Sequence, residues 1–372
     1  MLPYTGDYIE HIEPGKNSLK FYSFTPRPLM RGNIYQMDDE LAMLLIDAHR
    51  NIGFLEGLIK YAPNKEAFAE LMLLKECTYS RMIDYDNPDF KEVLTSRGTG
   101  KGNISPIIDL EAAYRAALNM EICAPDLSQI CGIALYRESE DNPMSVRDHQ
   151  TFWLGAKTNL KGYNPTAPDA VLPALADISA YLYNDQNTDP LIKAALVHYQ
   201  FEMIHPFERY NGIVGRIIVP MMLSDIAREA KLLICLSEYL YHNKNEYFDL
   251  LRSTQYSGGY IRWIKFFVNA VGEVAKKSVK LMTQYERIIA LDEHRLTEIG
   301  KSTKSIFEIY NYLKDTPITT ITVAERNLGF SFNTVSKLFH SLQGYGIVEC
   351  HLPSYRNRVF RYSELENLIC AD

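Results

Sequence analysis

The chain has 372 residues, more than one ordinary domain holds, so two or three domains are expected. At 47% hydrophobic and 23% charged residues it has a globular composition, and its net charge of −7 argues against a protein that coats nucleic acid, leaving only a local basic face open. Six cysteines lie scattered without a CxxC pair, which predicts reduced thiols; with no basic-then-apolar leader and no apolar run of about 18 residues, the expectation is a cytoplasmic protein that does not span a membrane.

Residues 1–37 carry prolines and few periodic positions, and read as an arm laid over the surface. From Asp38 the pattern turns helical, with Leu41, Leu44, Leu45 and Ala48 at i, i+3, i+4 and i+7. NKEAFAELMLLKECTYSRMI predicts a second helix with Asn64 as its N-cap. NPDFKEVLTSRGTGKGNISP, rich in Gly, Ser and Pro, reads as a loop, and DLEAAYRAALNMEI as a helix. GIALYRESEDNPMSVRDHQTFWLGA has β-branched and aromatic runs around a turn-like EDNP, which predicts a short hairpin. Helices follow at DAVLPALADISAYLYN, at DPLIKAALVHYQFEMI and from about Asn211 to Lys231, and the chain stays mostly helical to about Lys301. The pattern changes character after LTEIGKST, placing a domain boundary near residue 300. Beyond it the order is helix, short helix, helix and two strands.

Three features invite a functional reading and do not support one. RGTGKGN lacks the first glycine and the preceding strand of a phosphate loop. His198 and His205 stand about two helical turns apart, but no third ligand for a zinc ion accompanies them. The aromatic run YIRWIKFFV reads as core.

The stretch FEMIHPFERYNGIVGR, residues 201–216, interrupts apolar helical sequence with a polar loop. Pro206 cannot continue the helix that delivers His205. Asn211 and Gly212 fall in the first turn of the next helix, where unpartnered N–H groups and the helix dipole favour an anion. Arg216, one turn further in, is placed to reach a second phosphate. His205 can take a proton from an incoming hydroxyl near neutral pH. These residues fit a phosphate chain beside a general base; they equally fit a helix–turn–helix corner with a capping Asn and a packed histidine.

LIKAALVHYQFEMIHPFERYNGIVGR resembles the core of Fic-domain proteins, whose loop reads roughly HPFx(D/E)GNGRxxR. His205, Pro206, Phe207, Asn211, Gly212, Gly215 and Arg216 match it. ECTYSRMID (76–84) resembles that family's inhibitory helix through Ser80, Ile83 and Asp84, and VRDHQTFWLGA with YNPTAP resembles its flap. The likeness extends over about residues 30–285. It implies a mainly α fold, a Fic-type helical core with a small β-hairpin flap, and AMP transfer from ATP to a hydroxyl side chain of an unidentified protein. His205 would be the base, backbone N–H groups around Asn211 and Gly212 would hold phosphates, and Arg216 would bind the terminal phosphate. Asp84 would pair with Arg216 and block productive ATP placement.

The loop departs from the family pattern at three positions. Arg209 stands where the Mg²⁺-binding acid is expected, Tyr210 replaces the next glycine, and Ile213 replaces an arginine. Phosphate charge must then be neutralised another way, with Arg209 as the available cation and Glu208 as the one acid left for a metal. The alternative is a catalytically silent nucleotide-binding module. Residues 302–372 resemble a winged helix-turn-helix, with Ser331 capping the recognition helix and Lys337, Arg356, Arg358 and Arg361 facing DNA phosphates, although the stretch is balanced in charge. The expected division is an N-terminal helical region (1–100) with the inhibitory motif, a Fic core (101–300) and a winged-helix-like domain (301–372). DNA and a second copy of the chain stay open as partners.

Overall fold

A computed structural model describes residues 5–12, 20–30, 34–136, 144–152, 164–298, 304–351 and 358–371. Helix α1 (Asp39–Tyr61) starts where the Asp38 carboxylate accepts the Leu41 N–H at 2.9 Å. It buries Leu41, Leu45, Ala48, Ile52, Leu55 and Ile59 against α11 (Tyr260–Glu298). A Cβ on Gly272 of α11 would lie 3.2 Å from Ala48, so the two backbones approach closely there. The aromatic run of α11 is core as expected: Tyr260, Trp263, Ile264, Phe267 and Val268 are buried. Trp263 donates its indole N–H to the Ala195 carbonyl of α7 (Pro190–Ile204) at 2.7 Å. Helix α7 is buried on every side, which is why its sequence is apolar without a polar stripe.

Helices α6 (Pro168–Asn184) and α8 (Asn211–Met222) pack on α7, and α2 (Lys65–Asp84), α4 (Ser105–Ala117) and α5 (Ala124–Ala134) pack on α8. Two 3₁₀ turns, α9 (Leu236–His242) and α10 (Lys244–Ser257) then lead into α11. The expected Asn64 cap holds its place but not its role, because its amide donates to Glu286 and its carbonyl accepts from Lys314.

Three local expectations are corrected. The segment 1–37, read as a surface arm with few periodic positions, contains regular strands among its described residues: β1 (Gly6–Ile12) and β2 (Lys20–Pro26) pair antiparallel, with Ser23 and Phe24 buried. The stretch read as a loop at 87–106 contains α3 (Phe90–Thr99), opened by a capping box between Asp89 and Glu92 and closed by Gly100 at φ +66°. Of the hairpin expected around EDNP, Gly132–Ala134 belong to α5 and 144–152 carry no strand, while the turn lies outside the described residues.

After 299–303, also outside the described residues, come α12 (Lys304–Asp315), β3 (Ile318–Thr320), α13 (Ile321–Leu328), α14 (Phe332–Gly344), β4 (Glu349–His351), β5 (Val359–Arg361) and α15 (Ser363–Cys370). The strands form one antiparallel sheet in the order β3-β5-β4. Ser331 caps α14 through the Thr334 N–H at 3.3 Å. This unit packs on the helical body through α12 against α2, α15 against α11, and β3 against α3. Among the described residues no helix is long and apolar enough to cross a membrane.

Candidate active site

Helix α7 ends at His205, whose backbone turns left-handed (φ 53°, ψ 63°). A non-glycine residue in that conformation is held there by its surroundings. Tyr210 also has positive φ, at 67°, in the position before α8 begins. Between them Asn211 closes the loop on itself: its amide oxygen accepts the Phe207 N–H and its nitrogen donates to the Phe207 carbonyl, both at 2.8 Å. The Asn211 side chain therefore shapes the loop, and beside it lies the first-turn backbone of α8, at the positive end of that helix's dipole.

The Asp84 carboxylate, at the end of α2, sits at that element. A Cβ on Gly212 would lie 2.8 Å from Asp84 Oδ2 and 2.9 Å from Arg216 Nη1. Arg216, 1% exposed, donates to Ser80 Oγ and to the Ser80 carbonyl at 2.8 Å each, and to Asp84 Oδ2 at 2.5 Å. Burial opposes its charge, but Asp84 and the other groups facing it hold its pKa above the ordinary value. The sequence-predicted Ser80, Asp84, Gly212 and Arg216 thus meet at one point. Gly215 permits a second close approach, since a Cβ there would stand 2.4 Å from Glu202 Oε1. Burial pushes the Glu202 carboxyl up to about 8, so it is protonated at neutral pH beside Arg216.

Burial, with the Arg147 guanidinium adding to it, lowers the His205 imidazole to about 4. The ring is therefore neutral at physiological pH and a weaker base than an exposed imidazole. His198 does not share this face: its ring bonds the Gly215 carbonyl and the Tyr247 hydroxyl at 2.9 Å each, as a core histidine.

Glu208 and Arg209 are exposed. Among the described residues no group of three or more His, Cys, Asp or Glu side chains is placed to hold a metal. With a cation at Arg209, the donor set does not fit Mg²⁺. Ile213 is fully buried rather than directed to the loop mouth.

Two sets of contacts escaped the sequence reading, those of Tyr210 and those of Arg147. Tyr210 is buried and its hydroxyl accepts a hydrogen bond from Arg81 of α2, whose guanidinium also lies 5.1 Å over the Tyr85 ring. The one available signal was the departure from glycine at this position. Arg147, 4% exposed, bonds backbone carbonyls around the His205 turn. No residue pattern announces partners that are all main-chain.

The Fic/DOC family model matches residues 122–223. Over 64 residues the chain is 38% identical to protein adenylyltransferase fic-1 of Caenorhabditis briggsae, covering 16% of this chain and 12% of that protein. A probable protein adenylyltransferase of Aquifex aeolicus (strain VF5) is 28% identical over 113 residues, covering 30% of this chain and 31% of that one. The chain thus spans well under half the length of these curated relatives. A crystal structure of a Fic family protein from Desulfovibrio desulfuricans G20 shares the fold, with a TM-score of 0.57 at 14% identity over 89% of this chain and 98% of that one.

Proposed function

This chain carries a Fic/DOC family domain, and from that premise we propose that it transfers AMP from ATP to a hydroxyl side chain of a protein. His205 takes the hydroxyl proton, the oxygen attacks the α-phosphorus, the bond to the β-phosphate breaks and pyrophosphate leaves. The first-turn N–H groups of α8 bind phosphate oxygens, with Gly212 allowing the close approach, and Arg216 meets the terminal phosphate. Arg209 supplies further positive charge at the loop rim. No step is routed through a metal, since the loop residues do not fit one.

The observation that carries this reading is the Asp84 carboxylate at Gly212 and Arg216. An anion of the chain's own occupies the place a phosphate would take, which also makes Asp84 the restraint on the site. Incubation with labelled ATP and Mg²⁺ or Mn²⁺, followed by mass spectrometry of the protein, tests it: a mass increase of one AMP is expected, and its absence under activating substitutions would overturn it. The division at residues 100 and 300 belongs to the same proposal.

A second reading, a nucleotide-binding regulator without transfer, draws on one observation. Tyr210 fills the loop beside Gly212 and is tied to α2 by Arg81, which narrows the site. In that reading the C-terminal unit is the output. Of the wing arginines, Arg361 pairs with Glu366 at 2.8 Å and Arg358 lies 3.1 Å from His340, while Arg356 lies outside the described residues. Nucleotide binding by calorimetry without adduct formation would select this second reading.

A further inference from the structure

We propose that Arg147 is a positioning residue: its guanidinium fastens the His205 turn to the two chain segments flanking it, 147–149 and 164–166, and so sets where an incoming hydroxyl meets the imidazole. The proposal rests on the transfer reading above. Nε donates to the His205 carbonyl at 2.8 Å. One terminal nitrogen donates to the His149 carbonyl at 3.0 Å; the other donates to the Ile204 carbonyl at 3.2 Å and to the Thr166 carbonyl. The Arg147 backbone N–H adds a bond to the Pro206 carbonyl at 2.9 Å, and the Thr166 N–H one to Met203 at 3.4 Å.

Every one of these acceptors is a backbone carbonyl. Two of them, on Ile204 and His205, are orphan carbonyls at the C-terminal end of α7, where the helix dipole favours a cation. Removing the fork would strand several buried acceptors together and release a backbone conformation that a histidine adopts only under constraint. The planar guanidinium suits this task in a way an ammonium does not, because its donors leave in fixed directions. A packing role alone would stop there. Charge adds a second consequence: together with burial, a cation beside an imidazole disfavours the imidazolium, so the residue that aims His205 also keeps its ring neutral and lowers its proton affinity. The other groups acting on His205 are the Glu202 backbone on α7 and the Asp84 carboxylate on α2, both of which favour the imidazolium, with Glu208 and Arg209 exposed on the loop itself.

The test uses the full chain with ring-labelled histidine, His205 being assigned by its loss in His205→Gln. The parent, Arg147→Met and Arg147→Lys are titrated by NMR, and self-adduct formation from labelled ATP is followed against pH. In Arg147→Met the His205 midpoint is expected to rise above about 4 yet stay below 6.5, because the burial remains, with the acid limb of adduct formation following it. In Arg147→Lys, which keeps charge without the fork, the midpoint stays low while the adduct rate falls by about tenfold or more, as expected of a displaced reacting group. Near-UV circular dichroism shows whether each variant keeps its packing; if the Met chain loses it, the Lys chain decides. A folded Met variant with an unmoved midpoint overturns the proposal, as does a Lys variant that matches the parent rate. If neither the parent nor its Asp84→Gly variant forms an adduct, the transfer reading fails, and the midpoint in the Met variant still reports whether Arg147 acts on His205.

Discussion

His205→Ala should abolish adduct formation and leave nucleotide binding by calorimetry largely intact, because the anion site belongs to α8 and Arg216 rather than to the imidazole. An undiminished adduct would remove His205 from the mechanism. Asp84→Gly should raise adduct formation roughly 5-fold or more, the lower end of what a coupling of 1–3 kcal/mol gives. The gain is limited by the second tie between α2 and the loop, the Arg81–Tyr210 bond, so Asp84→Gly with Tyr210→Phe should exceed it. If neither variant changes rate or ATP affinity, α2 does not restrain the site. At Arg209 a cation replaces the expected acid, so ATP affinity should change little on adding EDTA; strong Mg²⁺ dependence would point to Glu208. Rebuilding the family loop is not a simple swap, since Ile213 is fully buried and arginine there would cost several kcal/mol unless it could reach water. The nearness of His205, Gly212 and Arg216 was legible because all three lie within sixteen consecutive residues. Arg147 was not, because its partners are carbonyls scattered over three segments.

At the scale of elements, what the sequence hid were elements defined by partners rather than by their own periodicity. The hairpin of β1 and β2 owes its burial to the chain at 164–166: the Phe24 N–H bonds the Asn164 carbonyl, and Thr166 Oγ1 bonds the Phe24 carbonyl at 3.0 Å. Nothing within residues 1–37 could announce that. Helix α3 was hidden by its own Gly and Ser content, although the Asp89–Glu92 capping box was readable. Its Gly98 has a structural reason: a Cβ there would fall 1.5 Å from the Ile318 carbonyl oxygen of β3. Gly98→Val should therefore push α3 off β3 and loosen the C-terminal unit, lowering the melting temperature and exposing the chain near residue 300 to limited proteolysis. A variant as stable and as resistant as the parent would show that the α3–β3 contact contributes nothing. Because α3 follows directly on α2, the same substitution disturbs the helix that carries Asp84.

Across the whole molecule, the site's unusual protonation states tie its stability to pH. Burial lowers both His198 and His205 from 6.5 to about 4. Between those values the unfolded chain takes up protons that the folded chain does not, so this stability is present above pH 6.5 and is lost as the pH falls through 4. Glu202 acts in the opposite sense: raised from 4.5 to about 8, it contributes stability that is full below 4.5 and lost as the pH rises through 8. For these three groups together the optimum lies near pH 6.5. Two substitutions separate the arms. Relative to His205→Gln, the parent should lose melting temperature on acidification from 6.5 to 4.5, since only the parent carries the second depressed histidine. Relative to Glu202→Gln, it should lose melting temperature on going from 6.5 to 8.5. A parent–variant difference that stays constant across both ranges would mean that these groups titrate in the folded chain as they do in the unfolded one. The enclosure of the site would then be looser than its packing indicates, and His205 would reach neutral pH as an ordinary surface histidine.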